Sequence, residues 1–275
     1  MATGNIDQQQ DPLLTFDGFS TDDENDPDAM SLVDHLEELR WRILKCLIAV
    51  LVFSVVAFIF REYILNLLEA PLPAHINTLP TKGGGRGLIT TDITGGFTAF
   101  LLISVVAGVI ASLPVLLYQT WAFIAPGLYE REKKYAVPFI FIGIGLFLAG
   151  ISVAYVVIRF PVEWLISFAS SDFTPLVTAN SYLTFAALFI LAFGLVFELP
   201  LVITFMAKVG IVNLDMLKKK RAVAHVGMWI AATFLTPGAD LYSPIILGVC
   251  MSVLYELTII FIRFAIKDET QSEVA

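Results

Sequence analysis

The side chains best placed to do chemistry in this chain are carboxylates set among apolar residues. Glu198 lies in Phe197-Glu-Leu-Pro200, inside the apolar run 182–207. A charge near the centre of a bilayer costs at least ~2.5–3.5 kcal/mol, so such a group must face a cavity, find a partner or carry a proton. Its chemistry would be that of a polar site within a membrane. The alternative is structural. Pro200 removes one backbone N–H and disturbs a neighbouring carbonyl, which a glutamic acid can satisfy by hydrogen bonding. Glu256 and His225 pose the same question more weakly. His225 follows Arg221 by four residues, which favours an interfacial position over a proton relay. Glu256 can snorkel or pair between helices. Asp240 closes the turn Thr236-Pro-Gly-Ala-Asp240, where it can simply end the preceding helix.

A second group of carboxylates sits at the edges of apolar runs. Ser31-Leu-Val-Asp-His-Leu-Glu-Glu-Leu-Arg-Trp-Arg-Ile-Leu-Lys45 precedes the first such run. Ser31 followed by Asp34 has the form of a capping box. Leu32, Leu36, Leu39 and Ile43 recur at helical spacing and form one stripe. Asp34, Glu37, Glu38, Arg40 and Arg42 occupy the remaining surface. One reading is a solvated helix start in which Glu38 and Arg42 pair at i,i+4, worth a few tenths of a kcal/mol. The other is a site at the water boundary. Glu130, Arg131, Glu132, Lys133 and Lys134 crowd a later turn, either as a self-paired loop or with Glu132 joining Glu38 on one membrane face. Two carboxylates so placed suit two guanidinium groups, because the planar fork of Arg meets a carboxylate bidentately.

Other chemistries lack their motifs. No GxSxG, HExxH or Walker sequence occurs, so neither a hydrolase nor nucleotide-driven machinery is expected. Lys82-Gly-Gly-Gly-Arg-Gly87 departs from the GxxxxGK[ST] pattern and reads as a flexible linker. Cys46 and Cys250 both fall in apolar runs and point to buried thiols, not to a disulfide or a metal site.

These residues need a membrane to position them. Apolar residues make up 57% of the 275 and charged residues 15%, against roughly 45–50% and about 25% in soluble domains. The expected fold class is an all-α membrane protein with six spans, at 43–60, 97–124, 137–158, 182–207, 222–235 and 241–264. The second is too long for a perpendicular crossing and holds Pro114, so tilt or a kink is expected. Tyr118, Trp121 and Phe123 near its end read as an interfacial belt. In the third, Gly143, Gly145, Ala149 and Gly150 allow close helix contact. The fifth is short for a crossing at about 1.5 Å per residue. Glu69-Ala-Pro-Leu-Pro73 reads as a stiff turn, and 160–169 suits a short interfacial helix.

Charge sets the direction of insertion. The first 29 residues hold eight of the 25 acids and none of the 17 bases. That tail is polar and without periodicity, so disorder is expected. Thirteen of the 17 Lys and Arg fall on the side of the N-terminus, and only Arg61, Lys82, Arg86 and Arg159 on the other. The positive-inside rule therefore places both termini in the cytoplasm. Three segments follow: an acidic tail at 1–30, a six-helix membrane domain at 31–266 and a polar tail at 267–275. No basic n-region opens the chain, so no cleavable signal peptide is expected.

Taken together, the motifs resemble one family. They are His35-Leu-Glu-Glu-Leu-Arg40, Glu69-Ala-Pro-Leu72, Tyr118-Gln-Thr-Trp-Ala-Phe-Ile-Ala-Pro-Gly-Leu128, Glu132 followed by bases, Phe197-Glu-Leu-Pro200, Lys218-Lys-Lys-Arg221 and Leu235-Thr-Pro237. Their order resembles that of TatC, the multispanning receptor subunit of the twin-arginine protein translocase, over about residues 31–266. Each alone is weak, and the set is specific. The resemblance implies six spans around a concave bundle, with short fifth and sixth spans. It implies that Glu38 and Glu132 form a cytoplasmic site for Arg-Arg signal peptides, with Arg40 and Phe123 at or near it. Glu198 would face the concave cavity, and Pro71 and Asp240 would be functionally sensitive outer positions. The implied partners are TatA/TatB-like single-span subunits, the signal peptides of folded cargo and the lipid bilayer. A homo-oligomer within a hetero-complex is expected, driven by the proton-motive force, in the bacterial cytoplasmic membrane or the thylakoid. No nucleic acid, cofactor, metal or bond-making step is implied. One departure is Pro244, where many relatives carry a polar residue, commonly Gln.

Two rival readings belong to other classes. A proton-coupled small-solute transporter would use Glu198, but such folds carry repeated halves and no internal repeat is seen. An intramembrane protease would need a Ser-His pair or paired Asp within spans.

Overall fold

The computed structural model describes residues 32–73, 88–124, 136–170, 176–238 and 240–272. The acidic tail 1–30, Ser31, the glycine run 83–87 and the charged turn with Glu130 and Glu132 lie outside them. The chain divides into two units, Met1–Arg40 and Trp41–Ala275. The first contributes the start of α1 (Leu32–Ile59), a single helix of 28 residues. The rest follows as α2 (Arg61–Glu69), α3 (Gly95–Ile124), α4 (Ala136–Val157), α5 (Arg159–Ser170), α6 (Ala179–Phe197), α7 (Leu199–Lys208), α8 (Leu214–Lys219), α9 (Arg221–Leu235) and α10 (Tyr242–Ser272).

Among the described residues, five stretches are long and apolar enough to cross a membrane: His35–Ile59, Gly95–Ile124, Val137–Phe168, Ala179–Lys208 and Tyr242–Phe264. The sixth expected span is α9, with 15 residues. At 1.5 Å per residue it reaches about 22 Å, well under a ~30 Å hydrocarbon core. The shortness expected of the last two spans falls mainly on α9. The apolar part of α10 has 23 residues, enough to cross, and its helix continues into the polar tail as far as Ser272. The short helix expected at 160–169 is α5. Pro114 lies within α3, which runs through it as one 30-residue helix.

The core forms around α6, whose small and aromatic residues, among them Ala186, Phe189 and Phe193, are almost wholly buried. Close approach there is reciprocal. A Cβ at Gly150 of α4 would stand 2.8 Å from the Phe193 carbonyl oxygen, and one at Gly194 of α6 would stand 2.7 Å from the Phe147 ring. Gly143 also faces a neighbour, with Leu117 Cδ1 2.8 Å from its would-be Cβ. The seven-residue spacing of Gly143 and Gly150 puts both on one helix face. Gly145 meets nothing within 4 Å, and Ala149 is exposed, so these two do not serve the contact expected of them. They lie on the opposite side of α4. Gly108 of α3 gives the same close seat to the Ser54 backbone of α1. The outer surface of α1 remains bare, with Leu47, Leu51 and Ile59 each more than 60% exposed. In a bilayer such a face is lipid-contacting, not strained.

Candidate functional site

Glu38 lies on the first turns of α1, where the apolar stripe and the charges share one helix. His35 Nδ1 stands 3.8 Å from Glu38 Oε2, one turn back on the same face, and Arg40 is exposed. Further along α1, Arg42 Nη1 donates to Gln119 Oε1 of α3 at 3.3 Å.

The inner ends of α3 and α4 are fixed by aromatic packing. Trp121 is 4% exposed. Its ring lies 5.0 Å from Phe139 of α4 and 5.3 Å from Phe205 of α7, and the last two are 5.6 Å apart. The T-shaped and tilted angles are those that aromatic quadrupoles favour. Trp121 is therefore not part of an exposed belt. Helical spacing turns it inward, while Tyr118, three residues back, is 56% exposed. Phe123 is half-buried. The segment that carries Glu132 joins the two helix ends locked by this triangle, Ile124 and Ala136.

Glu198 breaks its span. It is both the C-cap of α6 and the N-cap of α7, with φ −75° and ψ −15°, and Pro200 falls in the first turn of α7. Proline is tolerated there because the N–H it lacks has no helical partner. The Glu198 N–H returns to Leu195 O at 3.1 Å, and Val202 N–H reaches Glu198 O at 3.0 Å. Its side chain does not serve the backbone. Both carboxylate oxygens are buried and have no hydrogen-bond partner among the described residues. They lie over Gly143 of α4, whose would-be Cβ stands 3.3 Å from Oε2 and 3.0 Å from Leu201 Cδ2. Of the two readings open from the sequence, the backbone-bonded structural acid is thus not the one observed. A buried carboxylate without a donor is costly.

On the outer side, Pro71 is half-buried beside Leu72, which is 1% exposed. The expected stiff turn is present, closed by Leu72 N–H to Glu69 O at 3.0 Å. Asp240 does not end α9. That helix closes with Thr236 Oγ1 on Ala232 O at 3.1 Å, and Gly238 then turns the chain at φ +112°. Asp240 instead caps α10, where Oδ1 accepts the Ser243 N–H at 2.6 Å, as a short acceptor at an N-cap does. Pro244 follows within the first turn, where its missing N–H removes no helical bond.

One constellation is legible only in three dimensions. Glu256 of α10 accepts from Arg221 through Nε at 2.5 Å and also through Nη2. His225 Nε2 is 2.8 Å from Glu256 Oε1, and its Nδ1 is 3.2 Å from Ser252 Oγ. Tyr255 Oη donates to Leu217 O of α8 at 3.0 Å. The sequence marks Glu256 and His225 as polar residues in apolar runs. It does not show that they meet, with Arg221, to clasp the inner end of short α9 to α10.

The comparisons with known proteins bear on the whole of this arrangement. The family model described as Sec-independent protein translocase protein (TatC) matches residues 34–249. The chain belongs to the TatC family. A TatC from Desulforapulum autotrophicum, named Sec-independent protein translocase protein, is 36% identical over 259 residues, which cover 94% of this chain and 92% of the relative. The TatC of Escherichia coli K12 is 36% identical over 239 residues, covering 86% and 90%. A crystal structure of the twin-arginine translocase receptor TatC in DDM superposes with a TM-score of 0.72 at 30% identity, covering 82% of this chain and 98% of that one. The chain is a multi-pass integral protein of the cytoplasmic membrane, and among the described residues all of the long elements are helices.

Proposed function

We propose that this TatC-family protein is the receptor subunit of a twin-arginine translocase. A folded cargo presents an Arg-Arg signal peptide to Glu38 and Glu132, with Arg40 and Phe123 at the edge of that site. Each guanidinium meets a carboxylate through paired charge-assisted hydrogen bonds, which a lysine ammonium matches poorly. The apolar part of the signal then lies along the helical surface near Glu198. Pro71 and Asp240 act on the outer side, TatA/TatB-like single-span subunits assemble around the complex, and the proton-motive force supplies the energy. The receptor is one of several copies within a hetero-complex and makes or breaks no covalent bond. On this reading residues 31–266 are the membrane domain, with tails at 1–30 and 267–275.

The observation that supports it most is the Trp121–Phe139–Phe205 triangle, with centroid separations of 5.0 to 5.6 Å. It packs together the two helix ends that flank the Glu132 segment. A binding site on a loop needs such a scaffold. Binding of an Arg-Arg signal peptide to the purified protein, compared with its Lys-Lys version, tests the reading. The Arg-Arg peptide is expected to bind at least about tenfold more tightly, the scale of one lost bidentate pair. Glu132→Ala is expected to abolish the difference. Equal binding of the Arg-Arg peptide, the Lys-Lys peptide and the Arg-Arg peptide to the Glu132→Ala variant refutes the carboxylate clamp.

A second reading takes its support from the unpartnered Glu198 carboxylate, which suits a proton-coupled solute transporter. Solute uptake by liposomes holding this chain alone favours it. A requirement for a signal peptide and other subunits favours the receptor.

A further inference from the structure

We infer that the hydroxyls of Tyr155 and Tyr182 are the positioning groups for the outer segment that carries Pro71. The inference rests on the receptor reading only for the importance it gives to Pro71. A helix leaves its last four carbonyls without intrahelical donors, and the sequence after α2 makes this worse. The donor that would continue the ladder to Leu67 O is the N–H of residue 71, which is a proline. The donor for Leu68 O is the N–H of Leu72, which has gone to Glu69 O at 3.0 Å. The next residue is Pro73, again without an N–H. The Pro-Leu-Pro pattern therefore removes two of the backbone donors that would follow α2.

Two tyrosines from distant helices replace them. Tyr155 of α4 donates to Leu67 O at 2.9 Å, and Tyr182 of α6 donates to Leu68 O at 2.6 Å. The partners are 88 and 114 residues apart in sequence, and Tyr182 is 4% exposed. Three residues before Tyr182, the Ala179 N–H bonds Ile89 O at 2.8 Å, in an isolated bridge that ties the approach to α3 to the start of α6. The end of α2, and with it Pro71, is thus held by side chains of α4 and α6 in addition to its own closing turn. A phenylalanine at either position keeps the ring and its packing. It removes only the donor, and at the buried Tyr182 contact it leaves the Leu68 carbonyl without that partner.

The test uses the full-length chain in membranes with its partner subunits. Tyr155→Phe, Tyr182→Phe and the double variant are each made alone and combined with Pro71→Ala. The double Phe variant is expected to lower Arg-Arg cargo transport at least about fivefold, the scale of one net hydrogen bond. It is expected to leave signal-peptide binding unchanged and to speed amide exchange at residues 66–72 but not in α4 or α6. Added to Pro71→Ala it is expected to cost nothing more, because both act through one segment. Wild-type transport and exchange in the double variant would overturn the inference. So would losses that add to those of Pro71→Ala, or exchange that rises throughout α4 and α6. If the wild-type chain handles Arg-Arg and Lys-Lys cargo alike, the receptor reading fails, while exchange at 66–72 still decides the inference.

Discussion

Replacing Gly150 by alanine tests the packing on which the site depends, and Gly145 supplies the control. A Cβ at Gly150 would lie 2.8 Å from the Phe193 carbonyl oxygen and 2.8 Å from Phe197 Cγ. Ordinary contact begins at 3.4 Å, so the methyl group arrives 0.6 Å too close. One of the atoms it meets is backbone, which cannot rotate aside. Helices α4 and α6 must separate, at a cost typical of overpacking, about 1–3 kcal/mol. Alanine also favours the helix over glycine by roughly 0.5–1 kcal/mol. Gly145→Ala gains the same propensity and meets nothing within 4 Å. The propensity term cancels between the two variants, and their difference isolates the steric cost. Thermal unfolding of both proteins in one detergent is the assay. Gly150→Ala is expected to be less stable than Gly145→Ala by about 1–3 kcal/mol. Equal stabilities would refute the claim that α4 and α6 are held together at this glycine.

Asp240→Ala is expected to destabilise by about 1 kcal/mol through loss of the α10 cap, while Asp240→Asn keeps the acceptor and most of the stability. Thermal unfolding checks both, and transport by the Asn variant reports on the charge alone. Glu198→Gln and Glu198→Leu are expected to stay within about 1 kcal/mol of the parent, because no hydrogen bond is lost and an unpaired acid is removed. A loss above ~2 kcal/mol in either would mean that the carboxylate has a structural donor.

Most of the helices were legible because apolar length and charge asymmetry are strong one-dimensional signals. The break at Glu198 was marked by Pro200, though the span reads as continuous when only hydropathy is counted. What escaped the sequence is pairing across distance. Glu256 reads as a lone acid, and only the packing of α9 on α10 brings Arg221 and His225 to it. Trp121 resembles a belt residue by composition, and its inward register decides otherwise. Gly143 and Gly145 look equivalent on paper, yet two residues along a helix amount to about 200° of rotation. Asp240 stood next to the correct boundary, but its acceptor serves the helix that follows, not the one before.

The seat that Gly108 offers to Ser54 carries a lesson about birth order. Synthesis runs from the N-terminus, so α1 enters the lipid before its docking partner has been made, by the 54 residues that separate Ser54 from Gly108. Until then its apolar flank can meet only lipid, and the same flank stays bare once α3 has docked, with Leu47, Leu51 and Ile59 still exposed.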